Sequence, residues 1–583
     1  MRLSTPSSRP PRRGGLLGLT CLILVSLASS SLAALSDPPT AEELVRTSSA
    51  RYKLDPELIQ HKQNPTLPVL GYVTPWNSRG KQLVSQFRSK FDLVSPVWYT
   101  ILAHTSELDS RAAGSTAPST STTYKLSGAP PSPEDEEWYL DLQDAQKGSV
   151  VQVVPRFYLD AWQQIDYSDL LSNSTLWTML SNTIVDEVLK KGYDGAVFES
   201  AATYLLFEPL RELANALHSH NKTLVAVLPP IRTLTSQNIH PSSKAKLGST
   251  ELSQNRMLLQ SLPQLTTVVD WFSIMTYDMS GQGGQVSNIT GKHFPHESPL
   301  RQAKKGSLRQ AGPNTNPTWI RENVDAMANA ATPPPSRPAQ TEPESESEPE
   351  PGIASKHKRK QTMFGEMHEE MQDMFGLGSD PSDPFNYDEF GSNVDEDDQD
   401  EQDSERLDGD KTHPEQDSKL PRQTTAKFLM GLPMYGYRYP LFFIDKTTGQ
   451  GVPLRPPSDA QEFEVRQGDD STVPFLRGPG EALTMPQITE LIQDHDGYLA
   501  YDAASAESFF DYLEQIPLDS KAVQHGVRPG EHVYWRIFLP TRTSMQHRLA
   551  SIHTTDPPSH QPPQVGVSLW EVGQASKLLL ADL

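Results

Sequence analysis

The amino-acid sequence predicts an α/β protein whose parallel strands close into a (β/α)8 barrel. Eight short apolar runs, rich in β-branched and aromatic residues, recur along 583 residues with helical segments between them. Runs that are apolar on both faces are typical of parallel strands covered by helices. A doubly wound open sheet is the alternative, but the chain has no glycine-rich nucleotide turn to support it.

The elements follow in order along the chain. The predicted strands are Val69–Val73, Leu93–Tyr99, Val150–Pro155, Tyr193–Phe198, Leu224–Leu228, Trp271–Thr276, Phe428–Met434 and Val565–Trp570. Ser132, followed by Pro133 and an acidic turn, predicts a helix start. Residues Glu208 to His218 place three leucines on one helical face, and Trp319 to Ala330 predict a helix after the sixth strand. We also expect a small α+β insertion near the seventh and eighth strands.

The N-terminus has the pattern of a secretory signal. Arg9, Arg12 and Arg13 precede an apolar run from Leu16 to Leu27, and small residues follow at 31–34. We therefore predict a signal peptide over 1–34, an N-terminal extension over 35–66 and the barrel over 67–583. The mature chain is expected to be secreted or to reside in the secretory-pathway lumen, without a membrane span. A membrane anchor is the weaker alternative, because the apolar run is short.

The positions of the cysteine and of the glycosylation sequons agree with the predicted secretory pathway. The only cysteine, Cys21, lies inside the predicted signal, so the mature chain can form neither disulfides nor metal-thiolate sites. Sequons at Asn173, Asn221 and Asn288 are compatible with N-glycosylation.

Residues 333–425 interrupt the pattern and are predicted to be a long disordered acidic insertion within the barrel. The formal net charge of the chain is −22, and residues 341–420 hold 25 acidic and 7 basic residues. Such a composition buries too little apolar surface to offset chain entropy. Because the rest of the chain is close to neutral, nucleic acid is excluded as the expected partner. A methionine-rich stretch at 363–375 makes a protein partner for the insertion an open alternative, and a basic cluster at 356–360 leaves proteolytic processing of the insertion open.

Four motifs on successive predicted strands carry a resemblance. They are Tyr-Asp-Gly-Ala-Val-Phe-Glu at 193–199, Met-Thr-Tyr-Asp at 275–278, Gly-Leu-Pro-Met-Tyr-Gly at 431–436 and Gly-Val-Ser-Leu-Trp-Glu at 566–571. Their order and spacing resemble the chitinases of glycoside hydrolase family 18. The first two strands, at 70–77 and 95–98, look like the branch of chitinase-like proteins described as chitinase domain-containing. The resemblance implies a barrel with a carbohydrate-binding cleft at the carboxyl ends of its strands.

The resemblance also implies which catalytic groups are missing. With Asp194 and Gly195 aligned, the family's second aspartate falls on Val197, its third on Glu199 and its glutamic acid on Ala201. These three positions share parity and are expected to point into the barrel. Alanine at 201 cannot protonate a glycosidic oxygen. Asp194 is expected to make buried structural hydrogen bonds.

What remains is predicted to bind sugar. The candidate binding residues are Glu199, Tyr277, Asp278, Tyr435, Trp570, Trp76 and Trp98. Aromatic side chains that only fill the barrel are the structural alternative. The chain has no phosphate loop, zinc helix or nucleophile elbow, and His293 and His296 are expected to be solvated, so we expect no cofactor and no metal.

Three functions follow as hypotheses. The first is a chitinase-like protein that binds chitin, chitooligosaccharides or a related glycan without hydrolysing it. The second is an active glycosidase that uses a displaced carboxylate, with Glu199, Asp278 or Glu571 as candidates. The third is a secretory-pathway interaction protein that acts through the acidic insertion.

Overall fold

The structure is a computed structural model that describes residues 36–49, 51–108, 119–233, 249–287, 289, 291–303, 308–331, 426–452, 471–518, 528–552 and 564–583. The predicted signal peptide, the sequon at Asn288 and the predicted acidic insertion lie outside these residues. Within them, no helix combines the length and the apolar character needed to cross a membrane.

The apolar runs of the sequence coincide with strands. The strands are β1 (Val69–Val73), β2 (Leu93–Pro96), β3 (Tyr99–Leu108), β4 (Ser119–Gly128), β5 (Gln152–Val153), β6 (Arg156–Leu159), β7 (Gly195–Glu199), β8 (Thr223–Leu228), β9 (Trp271–Ile274), β10 (Gln285–Val286), β11 (Arg309–Gln310), β12 (Lys427–Pro433), β13 (Tyr435–Asp445), β14 (Thr472–Leu476), β15 (Glu481–Thr484), β16 (Gly497–Asp502), β17 (Glu507–Gln515), β18 (His532–Leu539) and β19 (Gln564–Trp570).

Parallel pairing arranges eight of these strand positions round one large curled sheet. β1 pairs with β2 and β19, and the ladder continues from β19 through β12, β9, β8 and β7 to β6. The second and third strand positions of the barrel are each divided into two short strands, β2 and β3 in the second and β5 and β6 in the third. The first parts, β2 and β5, pair with each other, and so do the second parts, β3 and β6. The backbone N–H of Asp194 donates to the Val153 carbonyl at 2.9 Å and links β5 to the start of β7. This order of neighbours is the one expected for a (β/α)8 barrel.

The third strand position is longer than predicted. The sequence places its end at Pro155, since proline has no N–H to donate to a ladder. The strand resumes at Arg156 because β6 finds partners on both sides, in β3 and β7. This correction brings one charged residue into the barrel.

Helices lie between the strands. They are α1 (Ala41–Ser48), α2 (Pro56–Gln60), α3 (Arg79–Gln86), α4 (Pro133–Gln143), α5 (Gln164–Ser172), α6 (Ser174–Lys191), α7 (Phe207–Ser219), α8 (Ser249–Leu265), α9 (Pro317–Ala331), α10 (Met485–Asp494), α11 (Arg542–Ile552) and α12 (Lys577–Ala581). The predicted start of α4 is confirmed, because Ser132 and Asp135 form a reciprocal capping box. Leu210, Leu213 and Leu217 of α7 are buried, as their spacing predicts.

The barrel interior is apolar over most of its height. Its core consists of Leu70, Tyr72, Leu93, Val97, Val154, Val197, Val225, Val227 and Leu429. Every second residue of a strand points to the same face. The positions two residues after Val154 and Val197 are therefore also interior, and these are Arg156 and Glu199. The charged side chains of Arg156 and Glu199 thus lie inside the barrel toward the carboxyl ends of their strands.

Three aspartates bind the amino ends of neighbouring strands. Each aspartate is the residue directly before one barrel strand. Its Oδ2 accepts a hydrogen bond from a backbone N–H at or near the start of the neighbouring strand that comes earlier in the chain. The pairs are Asp92 with Val69, Asp194 with Val153 and Asp270 with Leu224, each at 2.8 Å. Asp194 also accepts from Gln143 Nε2 at 2.7 Å. It therefore has the structural role predicted for it, at the end of the barrel opposite the cleft.

A second sheet stands between the seventh and eighth barrel strands. Strands β13 to β18 pair antiparallel, and α10 packs against them through Met485, Ile488 and Ile492. The opposite face of this sheet carries Tyr437, Tyr439 and Phe538, which share a buried cluster with Tyr435 and the edge of Trp570. The second sheet therefore forms a wall beside the carboxyl ends of the barrel strands.

The two attachment points of the predicted acidic insertion lie at the other end of the barrel. The helix before it, α9, ends at Ala331, and the strand after it, β12, begins at Lys427. A connection from a helix to the next strand reaches the amino ends of the barrel strands. The insertion is therefore attached away from the cleft.

A buried lysine gives the fold a testable pH dependence. Lys90 Nζ donates to the carbonyl oxygens of Ala581 and Leu583, at 2.9 and 2.8 Å, in a fully buried position. Loss of hydration lowers the pKa of Lys90 to about 8. The folded chain therefore releases this proton at lower pH than the unfolded chain, so the unfolding free energy should rise as the pH increases above 8. Between pH 7.5 and 9.5 we expect wild type to gain roughly 2 kcal/mol relative to Lys90→Met in denaturant unfolding. The exposed Lys53→Met variant should keep the wild-type slope, and equal slopes for wild type and Lys90→Met would contradict the assignment.

Candidate functional site

The carboxyl ends of the barrel strands bring five of the predicted site residues together. Glu199 ends β7, Tyr277 and Asp278 follow β9, Tyr435 begins β13 directly after β12, and Trp570 ends β19. Their side chains are linked by ring contacts and hydrogen bonds to one another or to shared neighbours. The strand register thus gathers residues that are far apart in the sequence.

Trp570 supplies an aromatic surface. Its ring lies nearly parallel to that of Tyr277, with 6.2 Å between the ring centroids and an angle of 11° between the planes. Tyr72 of β1 meets Trp570 edge-on, with 5.3 Å between the centroids. The phenol of Tyr72 donates to Ser273 Oγ at 3.0 Å, which fixes the supporting ring. Because Trp570 is only partly buried, this surface is available to a ligand.

Asp278 is held by two phenols. Tyr435 and Tyr437 both donate to its Oδ1, Tyr437 at 2.9 Å. Burial and the charge of Asp278 raise the pKa of both phenols, which therefore remain protonated donors. The residue as a whole is exposed to solvent, whereas its carboxylate is surrounded by enough protein to lose hydration. This loss raises the pKa of Asp278 above its usual range, against the opposing effect of the two phenols and of Arg232.

The backbone at Asp278 is also fixed. Its φ of 56° is in the left-handed region, which is uncommon for a residue other than glycine. Its N–H donates to Asn314 Oδ1 at 2.8 Å, and Asn314 is fully buried. Asn314 in turn donates its own N–H to Glu507 at 2.9 Å, and Glu507 is paired with Arg548. A buried ion pair in the second sheet thus supports a polar group of the cleft.

Glu199 forms an ion pair inside the barrel. Its Oε2 lies 3.2 Å from Nη1 of Arg156, and both side chains are mostly buried. The Arg156 guanidinium is 5.0 Å from the ring centroid of Tyr158 and 6.0 Å from that of Trp570. In this pair the Glu199 carboxylate accepts a hydrogen bond from Arg156.

Ala201 lies two residues beyond the end of β7 and is exposed. A methyl side chain offers neither a proton nor a hydrogen bond. The nearest acidic residue along this segment is Glu199, which is already paired with Arg156. The segment therefore presents no free carboxylic acid.

The two remaining tryptophans lie elsewhere. Trp98 was expected in the cleft, but it is 5% exposed and packs among the rings of Trp138, Tyr139 and Tyr193. The prediction is wrong because the chain turns at 97–98, where the second strand position is interrupted, and directs this ring outside the barrel. Trp76 is 70% exposed and follows β1, so it lies at the carboxyl end of the strands without packing into the core.

Glu571 does not face the cleft. It is 1% exposed, and its carboxylate accepts from Asn77 Nδ2 at 2.8 Å and from the Gly573 N–H at 2.9 Å. Loss of hydration raises its pKa, and these two donors oppose that rise. Its role is to hold the loop after β1 against the loop after β19.

Sequence reasoning missed three site residues. Arg156 was overlooked, although a charge at interior parity beside a run of valines is a visible signal. Tyr437 follows Tyr435 by two positions, so it was identifiable once β13 was taken as a strand. Asn314 gave no signal in the sequence, because its function depends on a contact with a distant loop.

Comparisons with known proteins give similar structures at low sequence identity. No protein-family model matches the chain. A chitinase from Chromobacterium violaceum is 12% identical and aligns over 88% of this chain and 98% of its own, with a TM-score of 0.41. A plant class V chitinase mutant from Cycas revoluta, in complex with (GlcNAc)3, is 9% identical over 88% of this chain and 98% of its own, with a TM-score of 0.41. A glycoside hydrolase family 18 N-acetylglucosaminidase from Paenibacillus barengoltzii is 9% identical over 89% of this chain and 100% of its own, with a TM-score of 0.39. The structures that this chain resembles thus include chitinases and a family 18 enzyme.

Proposed function

We propose that this chain is a chitinase-like carbohydrate-binding protein that binds chitooligosaccharides or a related N-acetylated glycan and does not hydrolyse them. The observation that carries the proposal is the aromatic surface of Trp570 and Tyr277 beside the hydrogen-bonded group of Asp278, Tyr435 and Tyr437. Flat rings accept the apolar faces of sugars, and a few fixed polar groups orient the hydroxyl and amide groups.

The absence of hydrolysis follows from the acid position. In the family that the sequence resembles, a glutamic acid protonates the glycosidic oxygen, and the resemblance assigns that position to Ala201. Loss of a general acid typically lowers the rate by about 10² to 10⁴. Glu199 is a poor substitute, since it is paired with Arg156 and lies two residues before that position, at the end of β7.

One observation favours the second hypothesis, an active glycosidase with a displaced carboxylate. The raised pKa of Asp278 makes it the group in the cleft most suited to carry a proton. Both phenols already occupy its Oδ1, however, and a carboxylate that accepts two hydrogen bonds is better suited to orient a ligand. Any turnover should therefore be lost in Asp278→Asn if this alternative is correct.

Calorimetry with chitotetraose tests the binding half of the proposal. We expect saturable binding by wild type, and a marked loss in Tyr437→Phe, which removes one phenol donor to Asp278. A matched control is Tyr498→Phe, a tyrosine of the second sheet. No detectable heat at millimolar sugar with correctly folded protein would overturn the proposal.

We also propose that the protein follows the secretory route and is N-glycosylated. Asn173 and Asn221 are both exposed. Thr175→Ala and Thr223→Ala destroy these sequons while keeping the asparagines, so each should remove one glycan from protein expressed in a eukaryotic secretory system. The measurement is the electrophoretic shift before and after glycosidase treatment, and an unchanged shift in both variants would contradict the proposal.

Action through the acidic insertion remains a separate proposal. Because the insertion is attached away from the cleft, deletion of residues 339–421 should leave sugar binding unchanged. A loss of sugar binding on deletion would show that the insertion contributes to the cleft.

A further inference from the structure

The cleft contains a cation that the proposed function does not use. Arg156 lies inside the barrel, and its Nη1 donates to Glu199 at 3.2 Å. Its Nε is buried and has no hydrogen-bond partner among the described residues. No partner for Nη2 is found in the same part of the chain. The edge of the guanidinium formed by Nε and Nη2 is therefore uncommitted.

That edge is the part of an arginine that matches a carboxylate. Two parallel N–H groups donate to the two oxygens at once, and such bidentate pairs are stronger than single hydrogen bonds. The same protein contains a completed example, in which Nε and Nη2 of Arg536 donate to the two oxygens of Asp511 at 2.8 Å each. Arg156 has no carboxylate on the corresponding edge among the described residues, since Glu199 accepts from its Nη1.

The guanidinium that bears this edge lies beside the proposed sugar-binding surface. The Arg156 guanidinium carbon is 6.0 Å from the ring centroid of Trp570. A buried donor without a partner destabilises the unliganded protein. A ligand group that accepts from this edge removes that destabilisation.

We propose that the cleft selects N-acetylated oligosaccharides that carry a carboxylate, and that Arg156 binds this carboxylate through its Nε–Nη2 edge. This inference rests on the proposed function and names its ligand class. Glu199 offsets the charge of Arg156 in the empty cleft and competes with the ligand for its guanidinium. Removal of the Glu199 charge should therefore strengthen the binding of an acidic sugar relative to a neutral one, whereas it would not if Glu199 alone recognised the ligand.

The test compares an acidic sugar with its neutral ester. The probes are the disaccharide N-acetylglucosaminyl-N-acetylmuramic acid and its methyl ester, measured by calorimetry on the full chain at low salt. We expect the acid to bind about 10- to 100-fold more tightly than the ester. A hyaluronan tetrasaccharide, which carries its carboxylates on the ring, forms a second arm. Preference for either acidic probe over chitotetraose supports the proposal and locates the carboxylate.

Variants separate recognition from folding. Glu199→Gln should raise the ratio of acid affinity to ester affinity several-fold relative to wild type. Arg156→Lys loses the fork geometry and should lose most of the preference. The double variant Arg156→Gln/Glu199→Gln removes both charges, leaves no unpaired ion, and should bind acid and ester equally. The control is Glu208→Gln/Arg211→Gln, an exposed pair of the same types on α7, which should behave as wild type.

The outcomes distinguish the two proposals. If wild type binds chitotetraose but shows no preference for either acidic probe, the Arg156 inference is overturned and the proposed function stands. If Glu199→Gln does not raise the ratio of acid affinity to ester affinity, the competition is contradicted. If no sugar binds at all, the proposed function itself fails.

Discussion

Replacement of Trp570 by alanine is expected to lower the affinity for chitotetraose by about 30-fold or more. Trp570 lies at the centre of the candidate site, between Tyr72 and Tyr277 and within reach of Arg156. Truncation of a central, partly buried aromatic residue typically costs at least 2 kcal/mol of binding free energy, which about 30-fold represents. Trp570→Phe keeps a flat ring and should lose considerably less. Calorimetry at matched protein concentrations measures both.

A control separates loss of the ring from loss of the fold. Trp76 also lies at the carboxyl end of the strands, but it is 70% exposed and lacks the supporting rings of Trp570. Trp76→Ala should therefore change the affinity by only a few-fold. Thermal unfolding of each variant shows whether the barrel is intact. Wild-type affinity in a folded Trp570→Ala protein would mean that the sugar binds elsewhere.

Disruption of the buried ion pair in the second sheet should have the largest effect on stability. The side chains of Glu507 and Arg548 are fully buried, with no surface accessible to solvent. Glu507→Gln leaves the Arg548 charge buried without a counter-ion, and such a change typically costs about 3–5 kcal/mol. We expect a loss of this size in guanidinium unfolding. Because the introduced glutamine can still accept from the Asn314 N–H, the sugar affinity of the folded protein should change less than its stability.

Removal of both charges should restore most of the stability. In Glu507→Gln/Arg548→Met no ion remains buried, and the glutamine still accepts from the Asn314 N–H. The exposed pair of Glu43 and Arg46 provides the control, since Glu43→Gln should cost less than about 0.5 kcal/mol. A loss below about 1 kcal/mol in Glu507→Gln would show that Arg548 is solvated or paired in another way.

The strands of the barrel were predictable from the sequence, whereas the positions and contacts of several side chains were not. An apolar run such as Leu224–Leu228 identifies a buried strand directly, because burial on both faces permits only apolar side chains. The motifs that contain Glu199, Asp278 and Trp570 likewise identified the cleft. The structure gathers these residues at one end of the barrel, as parallel strands require.

The predictions that failed were those that depended on the local direction of the chain. Trp98 lies within a predicted strand, yet the interruption at 97–98 turns its ring into the core outside the barrel. Arg156 was missed for the opposite reason, since the predicted strand stopped one residue before it. Asn314 reaches Asp278 across loops that no periodicity predicts. Sequence patterns therefore located the site but did not reveal the groups that fix its geometry.

The arrangement of the cleft is that of a rigid receptor. Asp278 is fixed by two phenols and by Asn314, and Glu199 is fixed by Arg156. Groups that are held before the ligand arrives lose little conformational freedom on binding, which favours affinity. None of these contacts supplies a mobile proton at the position of Ala201.

The most direct test measures sugar hydrolysis and sugar binding on the same purified sample. We predict that wild type binds chitotetraose. Its rate of product release from a fluorogenic chitooligosaccharide should be at least about 100-fold below that of a comparable active enzyme. Turnover at about 1 s⁻¹ or faster, abolished by Glu199→Gln or Asp278→Asn, would contradict the account.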